Sequence, residues 1–231
     1  MRTNHDIVFL YHHLGLGDHF VCNGLVRYVL AQSSCSRLYI PTKEHNLFTV
    51  QQMYSDDRRI LCLPVKSDFD VPSLPELKLN AGTPSALYQV GFSKCREDWD
   101  VSFYDSIGLD FSIRWNWFKI NRNFESENTL KKSLGLNEQE PYCVVHDNGS
   151  IGDFPIRVNT DLRVVRVEKK TSSLLDWCSV IEGAEEVHCV DSSVVHLAQM
   201  LNVKRGVFHN IRTKSTLFKL KKEWQVIEYS S

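Results

Sequence analysis

Short continuous apolar runs alternate along this chain with stretches in which apolar residues return every three or four positions. Ile7–Tyr11 is an unbroken apolar run, the pattern of a strand buried on both faces of a parallel sheet. After a glycine-containing turn, Val21, Leu25, Tyr28 and Val29 recur at helical spacing and predict an amphipathic helix over 18–32. A second strand is expected at 38–40, closed by Pro41, then a helix over 43–54 and a third strand at 60–63. The segment 64–82, rich in Pro, Ser and Asp, reads as loop, and 87–90 as a fourth strand. The stretch 98–118 is irregular and aromatic (Trp99, Phe103, Tyr104, Phe111, Trp115, Trp117, Phe118), a density that marks core or inter-domain packing.

A polar segment with a short Leu130/Leu134 helix and a turn-like 135–141 then breaks the alternation. The domain boundary is placed here, giving domains of 1–125 and 126–231. Beyond it the pattern restarts. A strand is expected at Tyr142–His146, a polar loop over 148–156, and a strand around Val164, Val165 and Val167. A helix over 172–182 has Leu174, Leu175, Cys178 and Ile181 on one face. A strand at 187–190 is followed by the helical stripe Val194, Leu197, Ala198 and Leu201, with short strands at 206–208 and 226–227. Two successive βαβ patterns predict an α/β protein with two Rossmann-like parallel-sheet domains facing a cleft. Ligands of such sheets sit at the carboxyl ends of strands, so the loops directly after strands hold the candidate chemistry.

Composition narrows the partners. With 27 Lys+Arg against 28 Asp+Glu in 231 residues, the formal charge of -1 supplies no field for nucleic acid or an anionic membrane. Any phosphate must therefore be held locally. At 42% hydrophobic and 24% charged residues, the chain can bury enough apolar surface to fold. No run approaches the roughly 20 apolar residues of a membrane span, and 7–11 is too short for a signal-peptide core. The seven cysteines (Cys22, Cys35, Cys62, Cys95, Cys143, Cys178, Cys189) are odd in number, scattered and never in a CxxC pair, as expected of reduced thiols in a cytoplasmic protein.

The loop after the first strand reads Tyr11-His-His-Leu-Gly-Leu-Gly-Asp18-His-Phe, with Gly24 further on. Gly15 and Gly17 suit a tight turn and close approach of a ligand to the backbone. A GxGxxG fingerprint would need glycine where Phe20 stands, which disfavours a nicotinamide-dependent oxidoreductase, and no Gly-Lys-Ser/Thr follows for a phosphate loop. Asp18 has two readings: a helix N-cap, or a carboxylate at a cleft mouth placed to take a proton from a hydroxyl. His12, His13, Asp18 and His19 match no metal-ligand spacing, so no metal is expected there. Arg27, well inside the helix, reads as surface or inter-domain.

The second candidate is 187–201, where a buried strand ends at Asp191 and a helix begins near Val194. Asp191 or Ser192 would be the N-cap, and the unpaired N–H groups of the helix start would offer an anion site. Ser193 and His196 share a face of that helix, and His196 leans back toward its start. The plain alternative is an ordinary capped helix with a partly buried histidine. His188, inside the strand, reads as a core histidine. Asp147 and Asn148 after one strand, and Glu168, Lys169 and Lys170 after the next, could face the cleft. Arg157 and Lys169 are candidate phosphate partners, and Glu168 stands at the distance from the 147–149 loop at which an acidic residue meets a ribose.

Taken together, Gly15-Leu-Gly-Asp18 with Gly24, and Val190-Asp-Ser-Ser-Val-Val-His-Leu-Ala198, resemble the motifs of GT-B glycosyltransferases of the heptosyltransferase group (family 9), in a short variant. The first resembles that family's glycine–aspartate turn, whose aspartate is the base. The second resembles its Asp-Ser/Thr-Gly-x-x-His-Leu segment, which holds the donor diphosphate. Ser193 departs from the family's glycine, and the 147–156 loop lacks the lysine often found there, with Arg157 as a substitute. The resemblance implies inverting, metal-independent transfer from a nucleotide-sugar donor to a hydroxyl acceptor, without a cofactor. Asp18 would be catalytic; Gly15, Gly17, His19, Asp191, Ser192, Ser193, His196, Arg157, Glu168 and Lys169 would bind substrate. The first domain would take the acceptor, a carbohydrate or lipid-linked saccharide through which any peripheral membrane contact would arise, and the second the donor. A non-catalytic nucleotide- or sugar-binding module of the same fold is the alternative.

Overall fold

The computed structural model describes residues 6–78, 85–92, 98–137, 139–150, 152–212 and 218–229, so Cys95 lies outside the described residues. The chain forms two compact units, 1–121 and 122–231. The six described cysteines are free thiols. Among the described residues no helix is long and apolar enough to cross a membrane.

The first unit runs β1 (Ile7–Tyr11), α1 (Leu16–Gln32), β2 (Arg37–Lys43), α2 (Leu47–Tyr54), β3 (Ile60–Val65), α3 (Pro75–Lys78), β4 (Ser85–Gln89), α4 (Trp99–Asp105) and α5 (Ile113–Asn116). Its four strands are parallel in the order β3-β2-β1-β4. Central β1 is apolar because both its faces are covered: Val8 and Leu10 are wholly buried on one face, and Ile7 and Phe9 are buried on the other. Pro41 does not close the second strand. β2 continues to Lys43, and Pro41 aligns with Leu63 of β3 beyond the last β2 residue registered with β1, Tyr39. A proline without an N–H is tolerated where one side of the strand has lost its partner. The segment expected to be all loop contains a 3-10 turn over Asp68–Ser73 as well as α3.

Arg27 is neither on the surface nor between domains. It is buried within the first unit, where its Nη2 donates to Asp56 Oδ1 (2.6 Å), Met53 O (3.0 Å) and Lys119 O (3.1 Å). The aromatic stretch supplies core: Phe103 and Tyr104 are buried, and the Tyr104 hydroxyl donates to Val21 O at 2.7 Å. Arg114 of α5 and Asp100 of α4 form an ion pair whose side chains are 1% and 0% exposed. Gly24 lets α1 meet α5, since a Cβ there would come within 2.5 Å of Ile113 O and 2.9 Å of Arg114 O.

The second unit runs α6 (Phe124–Ser133), β5 (Tyr142–His146), the small antiparallel hairpin β6 (Asn148–Gly149) and β7 (Gly152–Asp153), and β8 (Arg163–Arg166). α7 (Cys178–Glu182), β9 (Glu186–Val190), α8 (Ser193–Ala198), β10 (Gly206–Asn210) and β11 (Gln225–Glu228) follow. Its main sheet is parallel in the order β11-β10-β9-β5-β8. Arg122 ties α6 to α7: it meets the buried Glu127 through Nε (2.8 Å) and Nη2 (2.5 Å) and Glu182 through Nη1 (2.7 Å). Both sheets reverse strand order beside their first strand, between β1 and β4 and between β5 and β9. The loops leaving those strands are where such folds bind ligands.

An interior helical glycine changed to alanine ordinarily gains about 1 kcal/mol of helix propensity. Gly24→Ala should do the reverse, lowering stability by about 1–3 kcal/mol because the α5 backbone cannot swing aside as a side chain could. A urea midpoint at or above that of the parent would show that α1 and α5 are not held this closely.

Candidate functional site

In the first unit the β1 loop, the end of β2 and α4 enclose a pocket of about 430 Å³ lined by His13, Leu14, Gly15, Asp18, Lys43, Asp68, Trp99 and Phe103. α1 begins at Leu16 with Gly15 as its N-cap, so Asp18 is not the cap but stands in the first helical turn. There its carboxylate is favoured by the positive end of the helix dipole. It folds back over the turn: a Cβ on Gly15 would lie 2.5 Å from Asp18 Oδ2. Gly15 leaves room for the Asp18 carboxylate in this rotamer, while its backbone angles are ordinary extended values that any residue adopts. Gly17 sits inside the helix.

Lys43 Nζ pairs with Asp68 Oδ2 at 2.7 Å, and Asp68 Oδ1 accepts from the Leu14 N–H at 3.3 Å. Burial acts to raise the Asp68 carboxyl, but Lys43 and the Leu14 amide outweigh it and hold the group below the usual carboxylate range. His13 Nε2 lies 2.9 Å from Gly91 O, joining the β1 loop to the turn after β4. Trp99 and Phe103 meet edge to face at 5.1 Å on α4. The pocket thus offers a carboxylate, an ion pair and an aromatic wall, a combination that suits a ring bearing hydroxyl groups.

His19 does not line this pocket. It is wholly buried against His12, with ring centroids 4.5 Å apart and neither nitrogen hydrogen-bonded among the described residues. Burial, followed by the nearby His12 and Lys43, holds its pKa well below the usual histidine value. Burial likewise holds His12 down to about 4. The reason is periodicity: His12 and His19 face inward from the strand end and the helix, while His13 and Asp18 face the opening.

The second unit divides its candidates between two places. Glu168, with Asp147 and Asn148, lines a pocket of about 400 Å³ at the carboxyl ends of β5 and β8, together with Asp153, Phe154, Pro155, Arg166 and Val167. Asp147 is ion-paired with Arg166. Neither Arg157 nor Lys169 lines it; both side chains are exposed, and the Arg157 backbone N–H donates to the Tyr229 hydroxyl at 2.9 Å. Sequence position after a strand brought them into consideration, but a residue's place in a loop does not set its direction.

The other place is the turn from β9 into α8. Ser192 is the N-cap, yet its hydroxyl makes no capping bond. Instead it donates to Val190 O at 3.2 Å and lies 2.9 Å from His146 Nδ1. Ser193 opens the helix, half-buried. His196 is buried, 3.9 Å from Asp191 Oδ1 through Nε2 and edge-on to Phe218 at 4.5 Å. Burial raises the Asp191 carboxyl, with Arg212 acting in the opposite direction.

Arg212 and His146 are the residues that the sequence pattern left out. Arg212 Nη1 donates to Asp191 O at 2.7 Å and Nη2 to Ser150 Oγ at 3.2 Å, tying the β9–α8 turn to the β6–β7 hairpin. It follows β10 directly, so the rule of inspecting loops after strands could have found it. His146 ends β5, and burial, against the pull of Asp147, holds it down to about 4. Its contact with Ser192 spans 46 residues of chain and leaves no local signal.

No family model and no curated protein matches this chain. Solved structures do. The glycosyl transferase family 9 protein of Veillonella parvula aligns at 11% identity over 100% of this chain and 89% of that one, with a TM-score of 0.66. ADP-heptose LPS heptosyltransferase II of E. coli aligns at 12% identity over 95% and 89%, with a TM-score of 0.59. E. coli heptosyltransferase WaaC, solved with ADP, aligns at 13% identity over 97% and 93%, with a TM-score of 0.51. The chain therefore has the fold of the family 9 glycosyltransferases: parallel α/β sheets of the GT-B class.

Histidine titrates near 6.5 in an unfolded chain, so His12 and His146, held at about 4, leave the unfolded state binding more protons between those values. Stability contributed by keeping them neutral is complete above about pH 6.5 and falls as pH drops toward about 4, by at most about 1.4 kcal/mol per pH unit per histidine. His12→Asn and His146→Asn should each flatten this slope in urea midpoints measured from pH 7 to 4. An unchanged slope would mean that the histidine is not buried neutral.

Proposed function

We propose that this chain is an inverting, metal-independent glycosyltransferase that moves a sugar from a nucleotide-sugar donor to a hydroxyl acceptor. The observation that carries the reading is Asp18. It is a carboxylate folded over Gly15 at the mouth of a pocket, at the strand-order reversal of a sheet whose fold is shared with family 9 glycosyltransferases. The E. coli relatives that are named for ADP-heptose, or were solved with ADP, make a nucleoside-diphosphate sugar the donor class to test first.

In this reading the first unit takes the acceptor and the second the donor. Asp18 accepts the proton of the acceptor hydroxyl as its oxygen attacks the anomeric carbon. The bond from that carbon to the diphosphate oxygen breaks on the opposite face, which inverts the centre, and the electron pair leaves with the diphosphate. Backbone N–H groups at the β9–α8 turn, with Ser193 and the guanidinium of Arg212, would stabilise that charge. His146 and Asp191 act as positioning residues, through Ser192 and Arg212. Glu168 would meet the ribose. A saccharide acceptor fits the Lys43–Asp68 pair and the Trp99 and Phe103 rings of the first pocket. A cytoplasmic setting belongs to the same proposal.

Asp18→Asn should lower turnover by at least about a thousandfold while nucleotide binding stays within about twofold, since a lost general base costs the chemistry and not the donor site. Full activity in that variant would remove Asp18 from the mechanism. Nucleotide binding by the parent chain, with neither transfer nor donor hydrolysis across an acceptor panel, would favour a binding module. Arg212→Ala should weaken ADP at least about tenfold more than adenosine, as loss of one charge-assisted phosphate contact requires. Equal losses for both ligands would limit Arg212 to holding the turn.

A further inference from the structure

A cluster of metal-ligating side chains occupies the amino-terminal end of the second unit's sheet, away from the strand ends that carry the candidate site. Cys143, the second residue of β5, stands opposite Glu186, the first of β9, in the parallel register. His188 follows Glu186 by two residues. Alternation along a strand puts all three on one face of the sheet. Their Sγ, carboxylate oxygen and ring nitrogen lie within 4.8 Å of one another. Cys143 and His188 are 0% and 5% exposed, while Glu186 is half-buried and leaves a way in.

We propose that Cys143, Glu186 and His188 bind a divalent transition-metal ion of the zinc type, with water as the fourth ligand. One sulfur, one nitrogen and one oxygen donor form a borderline set that such ions prefer over calcium or magnesium. His188 Nε2 lies 3.2 Å from Glu186 Oε2. Two ligands at about 2.0–2.1 Å from a tetrahedral zinc stand roughly 3.3 Å apart, so this pair already has the spacing the ion demands. The sulfur needs roughly 3.6 Å to each of them, a closure of about 1.2 Å at most from the 4.8 Å limit, within reach of a side-chain rotation. Arg205 Nη1 holds Glu186 Oε1 at 2.5 Å, which leaves Oε2 turned toward His188.

The outer contacts agree. His188 Nδ1 lies 2.9 Å from His209 Nε2, and His209 Nδ1 lies 2.8 Å from the Tyr229 hydroxyl. A ligating histidine characteristically donates its second N–H to such a partner, which fixes the ring. With Nε2 on the ion, the His188 proton resides on Nδ1 and is donated to His209 Nε2. The His209 proton then resides on its own Nδ1 and is donated to the Tyr229 oxygen. Both imidazoles stay neutral, and the proton balance closes with one proton released to solvent from the Cys143 thiol. Without an ion the same groups form a hydrogen-bonded chain running the other way, from the Tyr229 hydroxyl to Glu186.

The test is a cobalt titration of the full chain after chelation and gel filtration. One equivalent of Co²⁺ should bring a thiolate-to-metal charge-transfer band and strong visible absorption of tetrahedral type, both abolished by added Zn²⁺, with one proton released per ion. Cys143→Ser should lose the charge-transfer band, whereas Cys189→Ser, on the other face of the sheet, should keep it. His188→Gln and Glu186→Gln should each weaken Co²⁺ binding at least about tenfold. Absence of the band in the parent chain, or its survival in Cys143→Ser or undiminished in His188→Gln, would overturn the site. The readout is independent of any sugar transfer.

Discussion

The constraint on which each half of this molecule depends is the reversal of strand order beside its first strand. Crossovers carry β1 to β2 and β3 on one side, and the chain then crosses to β4 on the other. The same happens around β5, with β8 on one side and β9, β10 and β11 on the other. At each reversal the loops leaving two adjacent strands run in opposite directions, and the space opened there can hold short turns, backbone N–H groups and polar side chains. His13 and Asp18 occupy the first such place; Asp147, Asp191 and Ser192 occupy the second.

What shapes the first pocket is a set of close approaches behind it. Gly24 sets how near α1 comes to α5, Arg114 on α5 is paired with Asp100 on α4, and α4 carries Trp99 and Phe103 into the pocket wall. A buried ion pair of this kind adds little net stability over apolar packing, but losing one partner leaves a charge stranded, at a cost of about 3–5 kcal/mol. The pair therefore holds the aromatic wall in register with the turn that bears Asp18. In the second unit Arg212 has a comparable part, since one guanidinium joins the turn after β9 to the hairpin after β5. Both arrangements use charge to fix geometry that hydrophobic contact alone would leave loose.

Much of this was legible in the chain. Short apolar runs and the 3.6-residue period found nearly every strand and the long first helix, because a buried element must show its burial in its residues. The errors have physical causes. Pro41 looked like a stop, yet a proline is compatible with a strand that has lost its neighbour on one side. Of the two readings of Asp18, the cap fails because helix formation began two residues earlier, at Leu16. Arg27 looked like surface or an inter-domain residue, and the carbonyls of Met53 and Lys119, the Asp56 carboxylate and the Tyr54 ring offset its burial.

By itself, then, the amino-acid sequence determined the α/β class, the two successive parallel-sheet units and the two turns where chemistry could sit, because hydrophobic period and glycine placement are local properties. Tertiary structure alone decided which side chains those turns present. It turned His13 toward the first pocket and His19 into the core, brought His146 and Arg212 to the β9–α8 turn, and gathered Cys143, Glu186 and His188 on one sheet face. Those pairings join residues up to dozens of positions apart, and which strands become neighbours in the sheet, as β9 does of β5, decides which of them meet.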